Sequence, residues 1–129
     1  SCLMATEDAM ANKKAEVVAF LKGYFKAVEW IELNKEAAVA DLVAYCDESG
    51  KSITEDVAKI FLDAEDFYTM EESYQMMTDI AEGSDVCITE QRAADILDFF
   101  IQAGNYMEGD DELFKGHSTN EFMAAALGK

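Results

Sequence analysis

Proline is absent from all 129 residues, and histidine and tryptophan occur once each, as His117 and Trp30. Without proline nothing forces a kink or a helix break, so punctuation falls to glycine and to capping side chains. Cysteine is also sparse. Cys2, Cys46 and Cys87 are far apart and form no CxxC pair. With a single imidazole they supply neither a zinc ligand set nor a disulfide framework, and they read as small buried hydrophobes. Bases are few: ten Lys and Arg against 27 Asp and Glu, for a formal charge of −17. A surface that binds nucleic acid needs clustered cations to neutralise phosphates, so that partner is excluded, and an anionic membrane surface is disfavoured for the same reason. Long apolar runs are missing too, which removes a membrane span. The opening Ser1-Cys2-Leu3-Met4 has neither the basic nor the apolar stretch of a signal peptide. Leu3-Met4-Ala5 lacks the polar character of a tether behind a lipid-anchored cysteine.

Half of the residues are apolar and they are spread along the chain, enough for a buried core in one domain-sized unit. The acids are not evenly spread. Residues 60–114 carry fifteen of them and only one base, Arg92, the pattern of a solvated outer face.

Ala, Leu, Met, Glu and Lys favour helix almost throughout, and the expected fold is mostly α, with about six helices and one short N-terminal strand at Cys2–Ala5. Thr6-Glu7-Asp8 is a helix start, its acids sitting where the dipole favours them. The strongest helix spans Lys13 to about Asn34. Val17, Leu21, Tyr24, Val28 and Ile31 follow the spacing of one buried face, and Val18, Phe20, Phe25, Ala27 and Trp30 cover much of the remainder. A helix that is apolar over most of its circumference must be enclosed by several neighbours, so this one is expected to be central. Further helices are expected from Lys35 to about Glu48, stopped by Gly50, and from Thr54 to about Ala64, with Val57, Ile60 and Phe61 inward. Thr69 with Glu72 forms a capping box for a helix ending near Gly83. Thr89 is the expected cap of the next, which presents Ala93, Ile96, Leu97, Phe100 and Ile101 to the core and ends at Gly104. Residues 105–118 are loop-like, and a last helix runs from about Thr119 to Leu127.

The acidity and the abundance of Met and Phe invite a test for calcium-binding loops. The best candidate starts at Asp47, but its sixth position is Ser52, its twelfth is Ala58, and Lys51 replaces a ligand oxygen. That loop does not bind calcium. Gly109-Asp110-Asp111-Glu112 places its acids consecutively and not alternately, so it does not wrap an ion either. No GxSxG, Cys–His pairing, GxGxxG, Walker lysine loop or HExxH is present, and His117 sits in a polar loop beside Ser118 and Thr119. Neither an enzyme nor a metal or cofactor site is expected. Phe67-Tyr68 lies in a short connector between two helices, where ligand contacts collect.

The order of these segments resembles the taurine, nitrate, aliphatic-sulfonate and thiamine-pyrimidine-precursor solute-binding proteins. Val17 to Ile31 is similar to their long helix. Asn34-Lys35-Glu36-Ala37-Ala38 follows as their Asn and Ala-rich helix do, and Thr54-Glu55-Asp56-Val57 is similar to their Ser/Thr-x-Glu-x-Val helix start. Phe67-Tyr68-Thr69-Met70-Glu71-Glu72 resembles their aromatic connector and next helix. Asp98–Gly104 and Phe122–Leu127 resemble the closing pair. The similarity covers essentially the whole chain and about the last third of a typical member. One departure is Lys35, where the family commonly has proline.

The resemblance implies that residues 1–129 are a single helical C-terminal segment of one lobe in a larger two-lobed α/β fold. It implies capture of a small solute for an ABC importer, with the permease as partner and an extracytoplasmic location, periplasmic or lipid-anchored through a further N-terminal segment. Thr6 and Glu7, at the end of the expected strand, are its candidate ligand contacts, beside Phe67 and Tyr68. The competing reading is a free-standing acidic helical domain for protein–protein interaction. If the resemblance holds, a sheet covers residues 13–34 in the whole protein; alone, their apolar surface must be covered by the other helices or by a second copy, and the isolated chain is expected to dimerise or swap. Sedimentation velocity should show association rising with concentration; a compact monomer at high concentration would contradict this.

Overall fold

A computed structural model describes residues 3–110 and 116–129. Among them are seven helices and no strand, so the chain is all-α: α1 (Glu7–Asn12), α2 (Lys14–Leu33), α3 (Lys35–Glu48), α4 (Glu55–Ala64), α5 (Met70–Met76), α6 (Ile88–Gln102) and α7 (Glu121–Leu127). The expected N-terminal strand does not form at Leu3–Ala5, which is irregular, with Met4 91% exposed. A strand must pair its backbone groups with a neighbour, and no other described segment offers an edge. Cys2 lies outside the described residues. No described helix is long and apolar enough to cross a membrane.

The chain divides into two compact units. The first comprises residues up to Leu21 together with Met70–Lys129. Its organising contacts gather on α7. Phe122 is buried, and Lys14, at the start of α2, both ion-pairs with Glu121 and lies 6.0 Å from the Phe122 ring centre. At the other end of α7, Lys129 pairs with Glu71 of α5 and sits 4.3 Å over the ring of Tyr74. Cations are favoured where α7 ends, and Glu121 where it begins, by the helix dipole. Both ion pairs are well exposed, so their contribution is small beside that of the buried ring.

Within this unit α5 ends at Met76 and not near Gly83. The chain then doubles back through an isolated antiparallel bridge between Ile80 and Cys87, held by Ala81 N–H to the Val86 carbonyl and Ile88 N–H to the Asp79 carbonyl. This closure places Cys87 at the cap position of α6. Thr89 is therefore inside the helix, and its hydroxyl donates to the Met76 carbonyl at 3.1 Å. Leu97 is the buried residue of α6, while Ala93, Ile96 and Phe100 face solvent, contrary to expectation.

The second unit, Lys22–Thr69, holds the remainder of α2 with α3 and α4. Asn34 turns the chain between α2 and α3. Its side-chain amide donates to the Trp30 carbonyl at 2.8 Å, which satisfies one of the carbonyls left over where α2 ends. Gly50 (φ 74°) stops α3 in the left-handed conformation, with Lys51 N–H bonding back to the Cys46 carbonyl. Asp47 accepts from the Ser52 hydroxyl at 2.9 Å, so the carboxylate that began the calcium-loop candidate instead braces this turn. Thr54 caps α4 by accepting from Val57 N–H, and Glu55 and Asp56 occupy the first turn.

α3 packs on α4, and the buried residue on each is an alanine. Ala38 is buried, and Ala58 is completely so. Lys35 reaches Asp63 of α4 at 3.9 Å. On α4 the Ala58 side is covered while Val57, Ile60 and Phe61, expected inward, are exposed.

The long helix α2 shows the same shortfall. Leu21 and Val28 are buried and Val17, Val18, Phe25 and Ile31 half-buried, a single stripe at helical spacing. Phe20 is 61% exposed, Trp30 43% and Leu33 76%, and Tyr24 also reaches solvent. Among the described residues, the enclosure expected of α2 is not seen within either unit.

Truncating Phe122 to Ala should therefore lower stability by roughly 3 kcal/mol or more, whereas Lys14→Gln should change it by less than about 1 kcal/mol. Urea unfolding followed by far-UV circular dichroism measures both; equal losses would contradict this account of α7.

Candidate functional site

Thr6 and Glu7 belong to the first unit. The Thr6 backbone is extended, with ψ 155°, and its hydroxyl accepts from Ala9 N–H at 3.2 Å, so that oxygen is committed to capping α1. Glu7 opens α1 as an exposed side chain in its first turn. Together they give the start of a six-residue helix a hydroxyl and a carboxylate. Both sit where helix-terminal amides stabilise them without any ligand.

Phe67 and Tyr68 belong to the second unit, in the connector that follows α4. Both are half-buried. Their neighbours Glu65 and Asp66 are exposed, so the connector presents two aromatic rings beside two carboxylates. The four candidate residues thus form two pairs, one in each unit.

The concavities of the first unit lie elsewhere. One, of about 270 Å³, is lined by Met10, His117, Glu121 and Phe122 among others. Another, of about 440 Å³, is lined by Thr78, Asp85, Cys87 and Glu90. Ser118 and Thr119 line both. Neither holds Thr6 or Glu7, or Phe67 or Tyr68 of the other unit. The signal that marks this loop in the sequence is Gly116-His117-Ser118-Thr119, four polar or flexible residues just before a helix. Both hollows are open grooves, and the described residues include no buried polar side chain that would orient a ligand in them. A built binding pocket converges several such groups on an enclosed volume.

Among the described residues no group of three or more His, Cys, Asp or Glu side chains is placed to hold a metal ion. Of the acidic cluster at 109–112, Asp110 accepts from Met107 N–H at 2.8 Å and so closes its own turn, while Asp111 and Glu112 lie outside the described residues. Cys46 and Cys87 are free thiols, half-buried where full burial was expected. Phe99, Phe100 and Tyr106 form an edge-to-face run, with ring centres 5.6 Å apart for the first pair and 6.2 Å for the second. Phe99 is largely exposed, so this run is packed on itself more than on a core.

No family model, curated protein or solved structure matches the chain.

Replacing Thr6 by Ala should cost α1 about 1 kcal/mol through loss of its cap, and Thr6→Ser only a fraction of that. Amide exchange at Ala9 reads the effect directly. Equal exchange in the wild type and in Thr6→Ala would show that the hydroxyl is not engaged in capping.

Proposed function

We propose that this chain is a helical part of a solute-binding protein, one lobe of a two-lobed α/β fold that captures a small molecule outside the cytoplasm and delivers it to an ABC permease. The observation that carries this reading is α2. Twenty residues long, it has apolar side chains on most of its circumference and a single stripe covered within the chain. That is the condition of a helix whose remaining neighbours are other parts of a larger fold.

The succession of elements supports the same reading. A long apolar helix is followed through Asn34 by the Ala-rich α3, then by the Thr54-capped α4, the Phe67-Tyr68 connector and α5. An aromatic α6 precedes Gly104, and α7 carries Phe122 to Leu127. Each corresponds to a segment on which the resemblance to taurine-, nitrate- and sulfonate-type binding proteins rests. In this reading the chain has no catalytic role. Thr6, Glu7, Phe67 and Tyr68 are its candidate ligand contacts, and an N-terminal segment carries the export or anchoring signal.

A second reading, an acidic helical domain that binds another protein, draws on the exposed stripes of α4 and α6. Val57, Ile60 and Phe61 on one, and Ile96, Phe99 and Phe100 on the other, have the spacing by which a helix presents a face to a partner.

Thermal unfolding of the full-length protein with sulfonates, nitrate, pyrimidines and amines separates the two. A ligand at about one hundred times its Kd stabilises by about 2.7 kcal/mol, so one of these compounds should raise the melting temperature by several degrees. If none shifts it while a protein partner does, the second reading replaces the first.

A further inference from the structure

We draw no further inference here: the strongest candidate, the exposed apolar stripe of Val57, Ile60 and Phe61 on α4, carries nothing because nothing in the structure shows what covers it.

Discussion

An apolar helix can be satisfied only by surfaces that surround it, and that constraint governs this molecule. α2 offers apolar side chains in nearly every direction, but among the described residues its coverage runs along Val17, Val18, Leu21, Phe25, Val28 and Ile31. Each apolar square ångström left in water forgoes roughly 25 cal/mol of stabilisation. With Phe20, Trp30 and Leu33 largely in water, the helix forgoes a substantial share of what its sequence can supply. The other helices repeat the imbalance on a smaller scale. Leu21, Val28, Ala38, Ala58, Leu97 and Phe122 are the buried hydrophobic residues among those described, a small core for the apolar content available.

Local interactions, by contrast, are well provided for. Thr6 and Thr54 cap helices through their hydroxyls, Asn34 caps the end of α2, and Gly50, Gly104 and Gly128 end helices in the left-handed conformation. Because proline is absent, these devices carry much of the punctuation. The acids fit the same pattern. They occupy first turns, where the dipole favours them, and Asp47 and Asp110 close turns by accepting from Ser52 and Met107. Much of the negative charge thus has a local structural role that makes no call on a bound cation. Much of the secondary structure is specified from within the segments, while few of the apolar side chains are buried among the described residues.

That division explains what was legible in the sequence. The bounds of α3 and α4 follow from Asn34, Gly50 and Thr54, all local signals, and the structure agrees with them. The early end of α5 and the displaced start of α6 were not legible. They depend on the Ile80–Cys87 closure, a pairing set by how residues 79–88 fold back and not by the propensity of any one residue. Nor does periodicity say which apolar positions are covered. It names an arc of the helix, and the neighbours decide which part of the arc is buried, so Ala58 is enclosed while Phe61 is not. The candidate ligand residues share this limit. Thr6 is a candidate by its place after an expected strand, and without that strand its hydroxyl serves the helix that follows it. Phe67 and Tyr68 are candidates by their connector, which is where the structure has them, half-buried beside exposed acids.

Trp30, the chain's single tryptophan, reports on the central claim. Acrylamide quenching of its fluorescence in the dilute isolated chain should show a readily accessible indole with red-shifted emission. Under the proposed function, joining the chain to the remainder of a solute-binding lobe should shield that indole and shift the emission to the blue. A poorly quenched, blue-shifted Trp30 in the dilute isolated monomer would mean that these residues enclose α2 by themselves, and the account would be wrong.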